Sequence, residues 1–412
     1  MIPERSVSEA AVVDFERVYV SKAALLALAF DRYKARPFPL KSFELFCATQ
    51  AHWLEPVALF SVLKRSFNNA CWSDWPVPLR DRHPAALAGV AVSYHKEIER
   101  EKFGQYLFHR QWTDLQGYCS LKGIGLIGDI PIYVNYDSVD VWVAPHFFKL
   151  DKERRPTFVA GVPPDYFSED GQRWGNPVYD WDVMQANGFS WWVDRLRHNL
   201  ALFDAVRIDH FRAFAQCWEI PAAEKTAVRG DWVDVPGMEL FTVLKEKFAR
   251  LPIIAEDLGI ITPDVDALKE AFNFPGMRVV MFAFHNEYKK SRDLPENYVP
   301  NSIVYTGTHD NNTVRGWFSG DITSMEIKNM TEYLGALPPE GDIDQVMIRL
   351  AMGSVAGLCI IPVQDILGAG AVARMNTPST VSGNWRWRLK SLSGLKASTA
   401  RLKHLAVVSG RT

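Results

Sequence analysis

The chain has 412 residues, 48% hydrophobic and 23% charged, with 46 Lys and Arg against 48 Asp and Glu. That balance excludes collagen-like, disordered and small disulfide-stapled classes, and it offers no electrostatic footprint for nucleic acid or an anionic membrane. Cys47, Cys71, Cys119, Cys217 and Cys359 are scattered and form no CxxC pair, which argues against a disulfide framework and against a zinc site. No run reaches the roughly 18 apolar residues of a membrane span, and Met1-Ile-Pro-Glu-Arg5 does not read as a secretory leader. A reducing, cytoplasmic location is the expectation. The 14 Trp, 13 Tyr and 24 Phe are the excess in this composition. Most of those rings belong in a core, but aromatic faces also stack on the apolar face of a sugar.

Taken in chain order, residues 12–120 read as helical. Val12–Lys34 lacks Gly and Pro, Glu55–Ser66 carries Val57, Leu59, Phe60 and Leu63 at helical offsets, and a long pattern runs over Pro84–Leu121. A Trp- and Pro-rich connection (Trp72 to Pro78) separates the last two. After Lys122 short apolar runs alternate with amphipathic stretches. The predicted strands are Gly125–Val134, Phe203–Ile208, Pro252–Ala255, Met277–Phe284, Ile303–Thr306 and Gly357–Val363. Helices are predicted over Trp191–Leu200, Glu239–Ala249, Val265–Phe272 and Asp344–Met352. Such alternation means an α/β fold with parallel strands and crossover helices. No strand is followed by GxGxxG, which weakens a dinucleotide-binding reading.

Carboxylates sit where these strands end: Asp129, Asp209, Glu256-Asp257, Asp310 and Asp365. In a barrel, strand ends of one sense converge on one face. Any one Asp can be a helix N-cap. A series of five is costly to gather without a chemical use, because like charges raise each other's pKa. Three such groups suit glycosyl transfer with retention: an ionised nucleophile, a protonated acid, and a third that holds sugar hydroxyls.

Three segments carry a family resemblance: Phe203-Asp-Ala-Val-Arg-Ile-Asp-His-Phe-Arg212, Ile254-Ala-Glu-Asp-Leu-Gly259 and Tyr305-Thr-Gly-Thr-His-Asp-Asn311. They resemble the catalytic motifs of the 4-α-glucanotransferases (amylomaltases, or disproportionating enzymes) of glycoside hydrolase family 77, in the α-amylase clan. Gly128-Asp-Ile-Pro-Ile-Tyr-Val134, the loop 160–177, Gln364–Gly368, Ala373–Asn376 and Asn384–Arg388 extend the resemblance from about Val13 to the end. It implies Asp209 as nucleophile, Glu256 as general acid/base and Asp310 as the holder of the 2- and 3-hydroxyls. Arg207 would bond to the nucleophile, His309 to the same sugar, and Asp129 would orient the site. Gln172, Trp174, Tyr166 and Asn376 would contact glucan.

The loop 160–177 has a rationale of its own. Pro163-Pro164 stiffens one arm, Gly171 permits a turn, and Tyr166, Phe167 and Trp174 offer stacking surfaces. Such a lid would exclude water from a glucosyl-enzyme and favour transfer over hydrolysis.

The resemblance implies a (β/α)8 TIM-barrel type with helical insertions, lacking here the segment that forms the family's first two strands. The implied organisation is a helical subdomain over 1–120, barrel strands three to eight over 121–390, and a helical tail over 391–412. The implied substrates are α-1,4-glucans, with maltodextrin or glucose as acceptor. No metal or other cofactor, nucleic-acid partner or membrane is implied, and the oligomeric state is left open. The missing segment motivates an alternative, an inactive or glucan-binding remnant; hydrolysis of α-glucans is a third reading.

Overall fold

The frame is a set of short strands, three of which, Ile253–Ala255, Gly276–Val279 and Ser302–Tyr305, are buried throughout. The computed structural model describes residues 12–164 and 168–411. Its strands are β1 (Ile127–Pro131), β2 (Phe158–Val162), β3 (Gln172–Pro177), β4 (Ala205–Asp209) and β5 (Gln216–Pro221). They continue with β6 (Asp231–Asp234), β7 (Ile253–Ala255), β8 (Gly276–Val279), β9 (Ser302–Tyr305) and β10 (Leu358–Ile360). Two compact units are distinguished. One holds Ser21–Glu256 and Ile261–Phe272; the other holds 12–20, Asp257–Ile260 and 273–411.

In the first unit β1, β4 and β7 run parallel, in that order. The register pairs Asp129 with Arg207 and Pro131 with Asp209. Ala255 pairs with Ile208, and β7 is buried throughout. Two features set this register. The Asp204 carboxylate accepts from the Leu126 N–H at 2.7 Å. Gly128 lies flat under the Phe203 ring, where a Cβ would collide with it. Helix Ser190–Leu202 feeds β4, and its last carbonyl accepts from Trp112 Nε1 at 3.0 Å and Gln116 Nε2 at 2.8 Å on helix His95–Leu121.

The helical part of this unit has an aromatic core of Phe30, Phe43, Phe46, Leu54, Phe103 and Tyr106. Tyr33 stacks on Phe103 with ring centroids 4.9 Å apart. A second, antiparallel sheet has the order β3-β2-β5-β6.

In the second unit β8, β9 and β10 run parallel, with Met277 beside Ile303 and Leu358 beside Ile303 on its other edge. Helices Ile343–Gly353 and Ser393–Val408 pack together through Ile348, Met352 and Leu405. No described helix is long and apolar enough to cross a membrane, and all five cysteines are free.

The expected α/β class and its six parallel strands are present, most of them shorter than the apolar runs. The run expected as a strand over Met277–Phe284 stops at Val279 and continues as a 3-10 turn, Val280–Phe284. A continuous apolar run has no period to tell strand from buried turn. The pattern over Pro84–Leu121 is two helices that meet at Tyr94. The loop 160–177, read as a loop with a stiffened arm, is largely the β2–β3 hairpin.

Replacing Gly128 by Ala forces the Phe203 ring or the β1–β4 spacing to give. The expected cost is about 1–3 kcal/mol of stability, read as a lower urea midpoint. An unchanged midpoint would show that the close approach constrains nothing.

Candidate active site

The first unit assembles its polar cluster at the C-terminal ends of β1 and β4. Residues two apart on a strand share a face, so Arg207 and Asp209 project together, and the register sets Asp129 beside Arg207. The guanidinium Nη1 donates to both Asp129 oxygens at 2.7 and 2.9 Å. Its Nη2 lies 2.8 Å from Asp209 Oδ1. Burial alone would lower the Arg207 pKa; the charges of Asp129, Asp209 and Glu256 outweigh it and raise the pKa instead. Arg207 is therefore a permanent cation between two carboxylates. Its side chain is 9% exposed, while those of Asp129 and Asp209 are each 43% exposed. The cation is covered and the anions face outward.

Glu256 follows β7 and is buried. Its N–H donates to the Ile208 carbonyl and its carbonyl accepts from the Phe211 N–H, both at 3.1 Å. Its Oε2 accepts from the His210 N–H at 2.6 Å. His210 takes the left-handed conformation (φ 54°, ψ 50°), at a cost of about 1–2 kcal/mol for a residue with a Cβ. Burial, followed by the nearby Arg212 charge, pushes its imidazole pKa down to about 4, so the ring is neutral near pH 7. Trp174 on β3 meets the His210 ring edge-on, with centroids 4.9 Å apart. Its Nε1 donates to Gln172 Oε1 at 3.2 Å.

The hairpin that carries Gln172 and Trp174 depends on two glycines. A Cβ on Gly161 would run into the Gln172 carbonyl. Gly171 has φ +64° and no room beside the Val162 carbonyl.

The second unit assembles its cluster after β9. Asn376 Nδ2 donates to Asp310 Oδ1 at 2.6 Å, and Arg374 Nη2 donates to the Asp310 carbonyl at 2.9 Å. His309 Nε2 lies 3.4 Å from Asp310 Oδ2. The His309 carbonyl accepts from the Asn376 N–H at 3.1 Å. Trp385 packs against the His309 ring at 5.1 Å. Asp310 thus has one oxygen fixed by Asn376 and a side chain still 37% exposed.

A family model described as 4-alpha-glucanotransferase, glycoside hydrolase family 77, matches residues 3–394. The chain belongs to this family. The 4-alpha-glucanotransferase of Thermus thermophilus is 46% identical over 407 residues, covering 97% of this chain and 81% of that protein. The Synechocystis 4-alpha-glucanotransferase is 45% identical over 381 residues, covering 91% of this chain and 75% of its own length. Among solved structures, an amylomaltase from Streptococcus agalactiae in complex with acarbose superposes with a TM-score of 0.93 at 37% identity, covering 98% of this chain and 82% of that one. The α/β barrel type expected from the sequence is the fold of this family member.

Of the candidate residues for this 4-alpha-glucanotransferase-family site, Asp129, Arg207, Asp209, Glu256, Gln172 and Trp174 lie in the first unit. His309, Asp310 and Asn376 lie in the second. Tyr166 falls outside the described residues. The structure adds three residues that were not singled out: His210, Arg374 and Trp385. All three stood in quoted family segments but had no pattern of their own. The left-handed bend at His210 leaves no trace in composition or period.

Two of the strand-end carboxylates are structural. Asp365 is buried, accepting from Thr306 Oγ1 at 2.6 Å and from the Val314 N–H at 2.9 Å. Asp257 accepts from the Met277 N–H at 2.6 Å and pairs with Arg278 and Arg292. Neither is a helix N-cap: the helix after Asp257 is capped by Thr262, and Asp365 lies inside a helix capped by Pro362. Replacing Asp365 by Ala leaves two buried donors without an acceptor, and the expected loss is about 2–4 kcal/mol, read by chemical denaturation. A loss below about 1 kcal/mol would show that water replaces the carboxylate.

Proposed function

We propose that this chain transfers segments of α-1,4-glucans to the 4-hydroxyl of glucose or a maltodextrin, by double displacement with retention. Asp209 attacks the anomeric carbon while the glycosidic C1–O bond breaks, and Glu256 gives its proton to the departing oxygen. The acceptor 4-hydroxyl then loses its proton to Glu256 and attacks the same carbon, and the ester bond to Asp209 breaks. Atoms and charges balance without a cofactor in either step.

The observation that carries this reading is the Arg207 clamp. A guanidinium 2.8 Å from Asp209 keeps that carboxylate ionised, as a nucleophile must be, while Asp129 holds the guanidinium from the other side. Glu256, buried a few residues of ladder away, is the group suited to carry a proton.

Asp310, with Asn376 fixing one oxygen, is assigned the 2- and 3-hydroxyls of the sugar, and His309 a bond to the same sugar. Trp174 and Gln172 are assigned glucan contacts on the hairpin, as is Tyr166 by family resemblance. The hairpin and loop 160–177 act as the lid that keeps water from the ester. A cytoplasmic place fits a chain whose five cysteines are all free.

Incubation with maltotriose, followed by separation by chain length, tests the reaction. The expected products are glucose with maltopentaose and longer glucans. A rise in reducing ends without longer products would mean hydrolysis, and no turnover would overturn the proposal. Asp209→Asn should lower transfer by on the order of 10⁴-fold, with its unfolding transition unchanged. Substantial residual transfer would remove Asp209 as nucleophile.

Arg207→Lys tests the clamp. A single ammonium cannot fork between Asp129 and Asp209, so Asp209 loses part of its stabilising charge and its pKa rises. The acid limb of the kcat/KM profile should move to higher pH by roughly one unit. An unmoved limb would show that the guanidinium does not set the charge of the nucleophile.

A further inference from the structure

The loop that fixes Asp310 also carries a tryptophan that packing leaves half open. Asn376 and Trp385 stand at the two ends of this loop, in the second unit. The Trp385 N–H donates to the Met375 carbonyl at 2.6 Å, which lays residue 385 beside the asparagine that bonds to Asp310. Asn384 closes the loop between them. Its Oδ1 accepts from the Thr377 N–H at 3.0 Å, and its Nδ2 donates to Thr380 Oγ1 at 3.0 Å. Beyond the tryptophan, the Arg386 carbonyl accepts from the Val13 N–H at 2.6 Å, and Arg386 Nε donates to the Val13 carbonyl at 3.0 Å. The backbone is thus tied on both sides of Trp385.

Trp385 takes the left-handed conformation, φ 59°, where a bulky side chain is strained and glycine is not. Full burial does not offset that strain, because the residue stays 49% exposed. Its ring packs on the His309 imidazole, with centroids 5.1 Å and planes 37° apart. His309 in turn lies 3.4 Å from Asp310 Oδ2. Strained residues held in place by their surroundings gather at ligand sites, and this one adjoins the carboxylate assigned to sugar hydroxyls.

We propose that Trp385 is a glucan-binding platform: the part of its ring that His309 leaves open stacks on the apolar C–H face of a glucose unit next to the one that Asp310 holds. This rests on the sugar-binding roles proposed above for Asp310 and His309. A pyranose face taken out of water against an indole gains from apolar burial. A ring tied in advance loses little freedom when the sugar arrives. Because His309 touches both Asp310 and Trp385, hydroxyl binding and stacking fall side by side on one chain of sugars.

The left-handed backbone supplies the test, because it separates the ring from the fold. Trp385→Gly and Trp385→Asn remove the indole and accept a positive φ, whereas Trp385→Phe keeps an aromatic face. Each is made in the Asp209→Asn chain, so that maltoheptaose is bound and not consumed. The Kd for maltoheptaose is read by titration calorimetry, and the fold by the urea midpoint.

In Trp385→Gly and Trp385→Asn the Kd should rise about tenfold, with urea midpoints close to that of Trp385→Phe. In Trp385→Phe the Kd should hold within about threefold. An unchanged Kd in the Gly and Asn variants would overturn the inference. So would a collapse of the urea midpoint in both, which would make the indole a structural prop for His309. Absence of binding in the parent Asp209→Asn chain would instead overturn the glucan-binding reading of the site, and the platform with it.

Discussion

A single buried cation sets the terms for the strand-end cluster of the first unit. Arg207 could not stay charged under cover without anions on its open side, and it has two, Asp129 and Asp209, within 2.9 Å. Removing both partners from such a group would leave an uncompensated charge in a low dielectric, one of the costlier changes a protein can suffer. The pairing follows from register. Asp129 stands beside Arg207 only because β1 and β4 are aligned by the Asp204–Leu126 hydrogen bond and by the flat contact of Gly128 with Phe203. A slip of one residue would turn Arg207 and Asp209 together to the other face and leave Asp129 without its counterion.

In the second unit, too, neighbouring polar side chains tie an exposed acid in place. Asp310 is held by Asn376 and by Arg374 at its carbonyl, and Arg374 also donates to the Asn376 carbonyl at 2.8 Å. The strand beneath is uniformly buried. Gly307 passes close enough to Met281 that a side chain would not fit. Asp310 therefore has its backbone tied while its side chain stays 37% exposed, with His309 beside its second oxygen.

Much of this could be read from the residues alone, for identifiable reasons. Strands β4, β7 and β9 are short apolar runs ending in acids, and the alternation of such runs with amphipathic helices is a strong signal. The acids themselves did not sort. Asp365 and Asp310 each follow an apolar run. Only the neighbours Thr306 and Val314, brought by the fold, make Asp365 structural. The antiparallel sheet was hidden for another reason. In β5 the buried position next to Ile220 is Glu219, which reads as exposed until Lys149 reaches it at 2.7 and 2.8 Å. The bend at His210 was hidden most completely, because a left-handed residue with an ordinary side chain is imposed by packing around it.

In the proposed reaction Asp209 takes the glycosyl group. The most direct measurement is intact-mass analysis of the enzyme after reaction with a ring-fluorinated α-maltosyl fluoride, which slows breakdown of the ester, followed by peptide mapping. The account predicts a single maltosyl adduct, on the peptide that contains Asp209. An adduct on Glu256 or another residue, or turnover of maltotriose by an enzyme that never accumulates an adduct, would contradict it.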